Sequence, residues 1–140
     1  MELGVEMGEA LGRWLVKSKC FETIDYIIPI PLHPKRQNIR GYNQSDLLVR
    51  GLSGVMLKSA VYDSVVRAKY NATQTKKKRY ERLINSKEIF RVVQPELLEN
   101  KHVLLVDDVI TTGATIEACG DALLEVKGLK LSIATLAVAT

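Results

Sequence analysis

Val103–Thr115 reads VLLVDDVITTGAT. Its first four residues are all apolar, with none of the alternation of a half-solvated strand, so Val103–Val106 predicts a strand covered on both faces. Two carboxylates, Asp107 and Asp108, follow at once, and then a turn rich in threonine and glycine through Thr111, Thr112 and Gly113. Beyond Ala114 and Thr115, the residues Ile116, Cys119, Gly120 and Leu123 recur at helical spacing, and Lys127-Gly128 is a helix-stop signal. A buried strand feeding a tight turn and then a helix is the building unit of layered α/β folds.

Working outward, Leu3, Met7, Leu11, Trp14 and Leu15 predict a first helix within residues 1–20. Ile24–Ile30 (IDYIIPI) is a short apolar run closed by Pro29 and Pro31, and reads as a strand. Leu47, Leu48, Gly51, Leu52, Val55 and Met56 fit a second helix, with Asn43 or Ser45 as N-cap. Val61–Val66, Ile89–Val93 and Leu131–Val138 read as further strands, with a short helix around Tyr80–Asn85. The fold class expected is therefore α/β: a mainly parallel, five-stranded sheet flanked by helices. No repeat, low-complexity tract or linker interrupts residues 1–140, which predicts a single domain. Parallel strands place their carboxyl ends on one side, where open α/β sheets bind ligands. The segments Pro31–Tyr42, Arg67–Lys78 and Asp108–Gly113 are thus expected to line one crevice.

The composition fits this reading. The 140 residues are 46% hydrophobic and 26% charged, enough for an ordinary core. No apolar run approaches the ~20 residues that span a bilayer, and the acidic N-terminus lacks a signal peptide's basic region. Both point to the cytoplasm and away from a membrane. Cys20 and Cys119 stand far apart without a CxxC partner and read as small thiols rather than metal or redox groups. The formal charge of +4 is unevenly spread. Residues 67–91 hold nine Lys/Arg against Glu81 and Glu88, and residues 31–44 hold Lys35, Arg36 and Arg40 with no acid. Such a field attracts phosphates, pyrophosphate or nucleic acid; an ordinary solvated lysine-rich loop is the plain alternative.

The turn after Asp108 opens a helix, whose unpaired N–H groups and positive dipole end suit a phosphate. Gly113 permits close approach, and Thr111, Thr112 and Thr115 offer hydroxyls. Asp107 and Asp108 would repel that phosphate unless they served another part of the ligand. Ribose hydroxyls, with a nearby Mg²⁺ held indirectly through ribose or water, meet both demands, so a sugar phosphate fits the whole segment. Two plainer readings stay open: the acidic pocket of a response-regulator receiver, which lacks its separate strand-end Asp here, and an N-capped helix with exposed acids.

VLLVDDVITTGAT resembles the signature with which type I phosphoribosyltransferases bind phosphoribosyl pyrophosphate (PRPP). The resemblance implies ribose contacts for Asp107 and Asp108, and a 5′-phosphate loop formed by Thr111, Thr112, Gly113, Ala114 and Thr115. Purine-salvage members carry Asp where Thr111 stands, so purine salvage is disfavoured. More of the chain, residues 24–138, is similar to the ComF family associated with DNA uptake: PIPLHPKRQNIRGYNQ over Pro29–Gln44, then Thr73-Gln74, Arg82-Leu83-Ile84-Asn85 and Phe90. Two features depart from that family. Many members begin with a four-cysteine zinc module, so this is a short variant or a truncated chain and no metal-finger role carries over. Lys77 stands where leucine is usual.

The resemblance assigns pyrophosphate to the loop after the first strand, through Leu32, His33, Lys35, Arg36 and Arg40. It assigns a flexible hood to residues 67–87, with Arg67, Lys69, Thr73, Gln74, Lys76, Lys77, Lys78 and Arg79 closing over the site. The same run, with Tyr70 and Tyr80, suits single-stranded DNA, and the sequence does not separate the two. The function expected is Mg²⁺-dependent transfer of a phosphoribosyl group from PRPP to an unidentified acceptor, with pyrophosphate release. The alternative is a binding protein of the DNA-uptake machinery that keeps the PRPP site. A homodimer is compatible with either.

Overall fold

The structure is a computed structural model that describes residues 2–32, 43–69 and 88–139. Along the chain run α1 (Glu2–Leu15), a 3₁₀ turn (Lys19–Phe21), β1 (Tyr26–Pro29), α2 (Gln44–Met56), β2 (Ser59–Ala60), β3 (Val65–Lys69) and β4 (Glu88–Val92). A second 3₁₀ turn (Pro95–Leu97), β5 (His102–Ile110), α3 (Ala114–Leu124) and β6 (Lys130–Val138) complete it. The main sheet has the order β2-β1-β5-β6, and every pairing in it is parallel. The expected α/β class is therefore present, with helices on both faces of a parallel sheet.

The strand count corrects the expectation in one respect: among the described residues four strands form the sheet, not five. The run read as one strand at Val61–Val66 divides at the bend Tyr62–Ser64. Ser59 and Ala60 pair with β1, whereas Val65–Lys69 turns away and pairs antiparallel with Glu88–Val92, Arg67 opposite Phe90. Polar Asp63 and Ser64 interrupt the apolar run where a two-sided strand would need it continuous. The terminal helix also stops earlier than Lys127-Gly128, capped at Glu125.

Two core layers flank the sheet. Ile27, Leu104, Val106 and Ala134 face α1 and α2, together with Leu15, Leu48, Val49 and Leu52. Ile28, Val103 and Leu105 face α3 and the β3–β4 ribbon, together with Ile116, Cys119, Leu123, Val65 and Phe90. Val103–Val106 are completely buried, as an unalternating apolar strand requires. The α1 and α2 backbones approach so closely that a Cβ on Gly8 would strike the Leu48 carbonyl, and one on Gly51 the Val5 carbonyl. Cys119 is buried, but Cys20, in the first 3₁₀ turn, is exposed. Asn43 is the N-cap of α2: its side chain accepts from Ser45 N at 3.0 Å and donates to the Ile30 carbonyl at 3.0 Å. One buried side chain thus ties the start of α2 to the exit of β1.

Candidate functional site

The site arises from a mismatch of strand lengths. β1 ends at Pro29, opposite Val106, while β5 continues to Ile110 alongside β6. Beyond Val106, β5 therefore pairs, among the described residues, on one side only, and Asp107 and Asp108 lie on that overhang. Asp107 and Asp108 stand inside a longer strand than Val103–Val106 suggested, because β6 pairs as far as Val138. Thr135 Oγ1 adds a bond to the Asp108 carbonyl at 3.3 Å.

An open cleft of about 290 Å³ occupies the overhang. Its walls are Ile30, Pro31 and Leu32 from the β1 exit, Gln44 and Ser45 from α2, Arg67 from β3, and the continuous run Asp107–Ile116. The three segments expected to share a crevice all contribute to it. Arg67 arrives differently from the hood expectation: it belongs to a paired strand, its Nη1 donates to the Pro31 carbonyl at 3.3 Å, and its guanidinium lies 5.5 Å from the Phe90 ring centroid. Lys69 ends the same strand. His33, Lys35, Arg36, Arg40, Thr73, Gln74, Lys76, Lys77, Lys78, Arg79 and the helix expected at Tyr80–Asn85 lie outside the described residues.

Each carboxylate is steadied by the chain itself. Asp107 Oδ1 accepts from Asp108 N at 2.9 Å, and Asp108 Oδ1 accepts from Val109 N at 2.9 Å. The strand pleat turns neighbours to opposite faces. Leu104 and Val106 lie on the α1–α2 side and Val103 and Leu105 on the α3 side, so Asp107 turns toward α3 and Asp108 toward α1 and α2. Burial pushes the Asp107 carboxyl up to about 6, and the adjoining Asp108 carboxyl pushes the same way; the Asp108 N–H and the Arg67 charge pull against them. Beneath the cleft, burial holds the Cys119 thiol up at about 12, which leaves it without thiolate character at neutral pH.

The turn is built for close approach. Gly113 has φ +84°, which L side chains rarely adopt, and a Cβ there would meet nothing within 4 Å, so backbone conformation rather than crowding calls for glycine. Thr112 Oγ1 accepts from Ala114 N at 3.2 Å, and the first helical bond runs from Glu117 N to the Gly113 carbonyl at 2.9 Å. The N–H groups of the first turn precede any intrahelical acceptor and point toward the cleft end of α3. The cleft thus brings the two carboxylates of the β5 overhang and the amides at the head of α3 to one opening. As for a cation, the described residues contain no group of three or more His, Cys, Asp or Glu. Two adjacent carboxylates fit a Mg²⁺ that shares its ligands with a sugar phosphate and water, and do not make a protein cage.

Residues 47–139 match the phosphoribosyl transferase domain. The chain belongs to that family. Phosphoribosyl transferase architecture also recurs in the solved structure of a purine phosphoribosyltransferase from Pyrococcus horikoshii Ot3, which superposes with a TM-score of 0.61 at 20% identity over 99% of this chain and 75% of that one. Among curated proteins, the chain is 34% identical over 126 residues to the DNA utilization protein YhgH of Shigella flexneri, covering 85% of this chain and 55% of that protein. It is 42% identical over 91 residues to competence protein F of Haemophilus influenzae, covering 64% of this chain and 40% of that protein. The chain thus spans about half the length of the curated relatives it matches.

The sequence reading assigned no binding role to two members of this cleft: Gln44, which it placed at the end of the Pro29–Gln44 run, and Ser45, which it read as an N-cap candidate. The available signal was the run Asn43-Gln44-Ser45 directly after a glycine-containing loop. Among the described helices, none is long and apolar enough to cross a membrane.

Proposed function

We propose that the cleft binds PRPP with Mg²⁺ in the cytoplasm and that the protein transfers the phosphoribosyl group to an acceptor other than a salvage purine. The observation that carries this reading is the joint placement of Asp107 and Asp108 beside the Thr111–Thr115 turn at the head of α3. In it, the carboxylates accept hydrogen bonds from the ribose hydroxyls, and the turn's amides and threonine hydroxyls hold the 5′-phosphate. The bond between ribose C1 and the pyrophosphate oxygen breaks, pyrophosphate leaves with the electron pair, and the acceptor's lone pair forms the new bond to C1. Negative charge grows on the leaving group, for which Arg67 and the basic residues of 33–40 and 76–79 are the candidate donors. A bound Mg²⁺ supplies further neutralisation of that charge. Thr111, where salvage enzymes of the resembling family carry Asp, supports the exclusion of purine salvage.

The test is calorimetry of PRPP in Mg²⁺ buffer. The double variant Asp107→Asn, Asp108→Asn is expected to bind at least about tenfold more weakly, about 1.4 kcal/mol. Unchanged affinity in a folded double variant removes the proposal.

A second reading is favoured by the relatives' names and by the charge of residues 67–91: single-stranded DNA held by the basic segment. Replacing Lys76, Lys77 and Lys78 by Gln should then reduce the slope of log affinity for single-stranded DNA against log salt by about 2, at ~0.7 per phosphate contact, with PRPP affinity kept. If PRPP binding or turnover falls instead, the segment serves pyrophosphate.

A further inference from the structure

The helix α1 is apolar on two faces. On the first, Gly8, Gly12 and Leu15 are buried and Leu11 packs on the core layer that α2 shares. This face is fully used: a Cβ at Gly8 would strike the Leu48 carbonyl, and one at Gly12 would press on Val55. On the second, Leu3, Met7, Ala10 and Trp14 are all exposed, Leu3 to 66% and Trp14 to 69%. A surface helix needs one apolar stripe, turned to its own core. The second stripe steps by four, three and four residues, the 3.5-residue repeat of a helix-pairing seam.

The charges beside the seam say what pairs with it. Glu6 and Arg13 are both exposed and, one heptad apart, flank the seam on the same side. Along α1 the acids come first, at Glu2, Glu6 and Glu9, and the bases last, at Arg13 and, just past the helix, Lys17. A second α1 laid antiparallel on the first sets Leu3 against Trp14, Met7 against Ala10 and Glu6 beside Arg13, each contact made twice about a two-fold axis. A parallel pair would instead lay acidic half on acidic half. DNA finds no cation along the stripe and acids at its start.

Beside Leu3 and Met7 opens an apolar hollow of about 320 Å³, walled also by Leu47, Leu48 and Leu136. Trp14 of a second, antiparallel copy stands opposite Leu3 and has this hollow before it. An aromatic side chain buries roughly 150–250 Å². With Trp14 counted once per copy, the two seams together approach the roughly 1,000 Å² at which a specific interface begins.

We infer that the exposed stripe of α1 is a homodimer interface, covered by α1 of a second copy in antiparallel orientation, with Trp14 of each copy entering the hollow beside Leu3 of the other. The interface is independent of what the cleft at the end of β5 binds.

Sedimentation equilibrium of the unaltered chain should show monomer and dimer in exchange, with a dissociation constant on the order of 10 μM. Trp14 is the chain's one tryptophan, so its emission should shift to the blue over the same concentrations as the indole leaves water. Met7→Glu, at an exposed position that keeps the fold, should weaken association by about tenfold or more. Glu6→Arg and Arg13→Glu should each weaken it by about fivefold, since each sets like charges together at both ends of the pair. Mixed in equal amounts, these two variants should associate within about twofold of the unaltered chain, because every flanking charge then meets its opposite. Circular dichroism and urea midpoints identify the variants that remain folded. A chain that stays monomeric up to about 1 mM overturns the inference. So does a dimer in which Trp14 emission is unshifted, one that Met7→Glu leaves intact, or a pair of folded charge variants that mixing does not rescue.

Discussion

At one end of β5 stands His102, and at the other stand Asp107 and Asp108. His102 is 5% exposed and its needs are met inside the protein. Nδ1 lies 2.7 Å from Thr23 Oγ1, Nε2 lies 2.6 Å from Ser132 Oγ, and the backbone N–H donates to Asp25 Oδ2 at 2.8 Å. The aspartates share the same strand, but their described hydrogen bonds are to the backbone N–H of the next residue and, for Asp107, to the Asp108 carboxyl, and both line an open cleft. A carboxylate with two oxygens and about four acceptor sites is far from satisfied by one or two such bonds. Polar groups closed among themselves belong to the scaffold; polar groups left open on an overhanging strand are available to a ligand. The carboxyl end of β5 is therefore the end left open to a ligand.

The comparison breaks most visibly if the strand joining the two ends is weakened. Leu104 is completely buried on the α1–α2 side. Leu104→Ala should cost about 2–5 kcal/mol in urea denaturation through lost burial and an unfilled cavity. A loss under about 1 kcal/mol would mean that β5 is not the common support of both ends.

His102→Ala sharpens the contrast at the scaffold end. It leaves the Thr23 and Ser132 hydroxyls without their shared partner, at a cost of about 1–3 kcal/mol. PRPP affinity should stay within about twofold at a temperature where the variant is folded. A selective loss of PRPP binding in a folded His102→Ala protein would erase the distinction between the two ends.

How much of this was readable beforehand follows the same division. Val103–Val106 announced a two-sided buried strand because four unalternated apolar residues have few other uses, and Asn43 or Ser45 announced a helix cap because a short polar side chain can accept from the N–H groups that follow it. The sheet's strand count was not readable. Asp63 and Ser64 mark a break inside Val61–Val66, but which partner each side takes is set by tertiary packing: Ser59–Ala60 joins β1 while Val65–Lys69 pairs with β4. Arg67 was named from its charge, but its position on a paired strand over Phe90 depends on that same choice. The apolar hollow was hidden for a different reason. Leu3 and Met7 fit the helical period that also marks core residues, and sequence periodicity does not tell an apolar side chain that fills space from one that borders it.

The smallest expected effect is the most specific, because the two ends should respond to pH with opposite sign. Burial, with the neighbouring Asp108 carboxyl, raises Asp107 from 3.8 to about 6. Between those values the folded protein keeps a proton that the unfolded chain has released, so this group's contribution to stability is lost as pH rises from about 3.8 through about 6. His102 is lowered from 6.5, chiefly by burial and then by the Lys130 charge, with a smaller push from Lys58; Asp25 and the Thr23 hydrogen bond oppose. The unfolded chain binds that proton first, so the stability contributed by His102 is lost as pH falls below 6.5. Urea midpoints should therefore be compared from about pH 5 to about pH 7 for the unaltered chain, Asp107→Asn and His102→Asn. Relative to the unaltered chain, Asp107→Asn should gain as pH rises and His102→Asn should gain as pH falls. The Asp107 change should be on the order of 1 kcal/mol, reduced by solvent screening at a half-buried position. PRPP affinity of the unaltered chain should climb as Asp107 ionises through about 6, since only the carboxylate accepts from both ribose hydroxyls. Parallel slopes in the two variants would show that the aspartate end titrates as scaffold, and the functional contrast along β5 would fail.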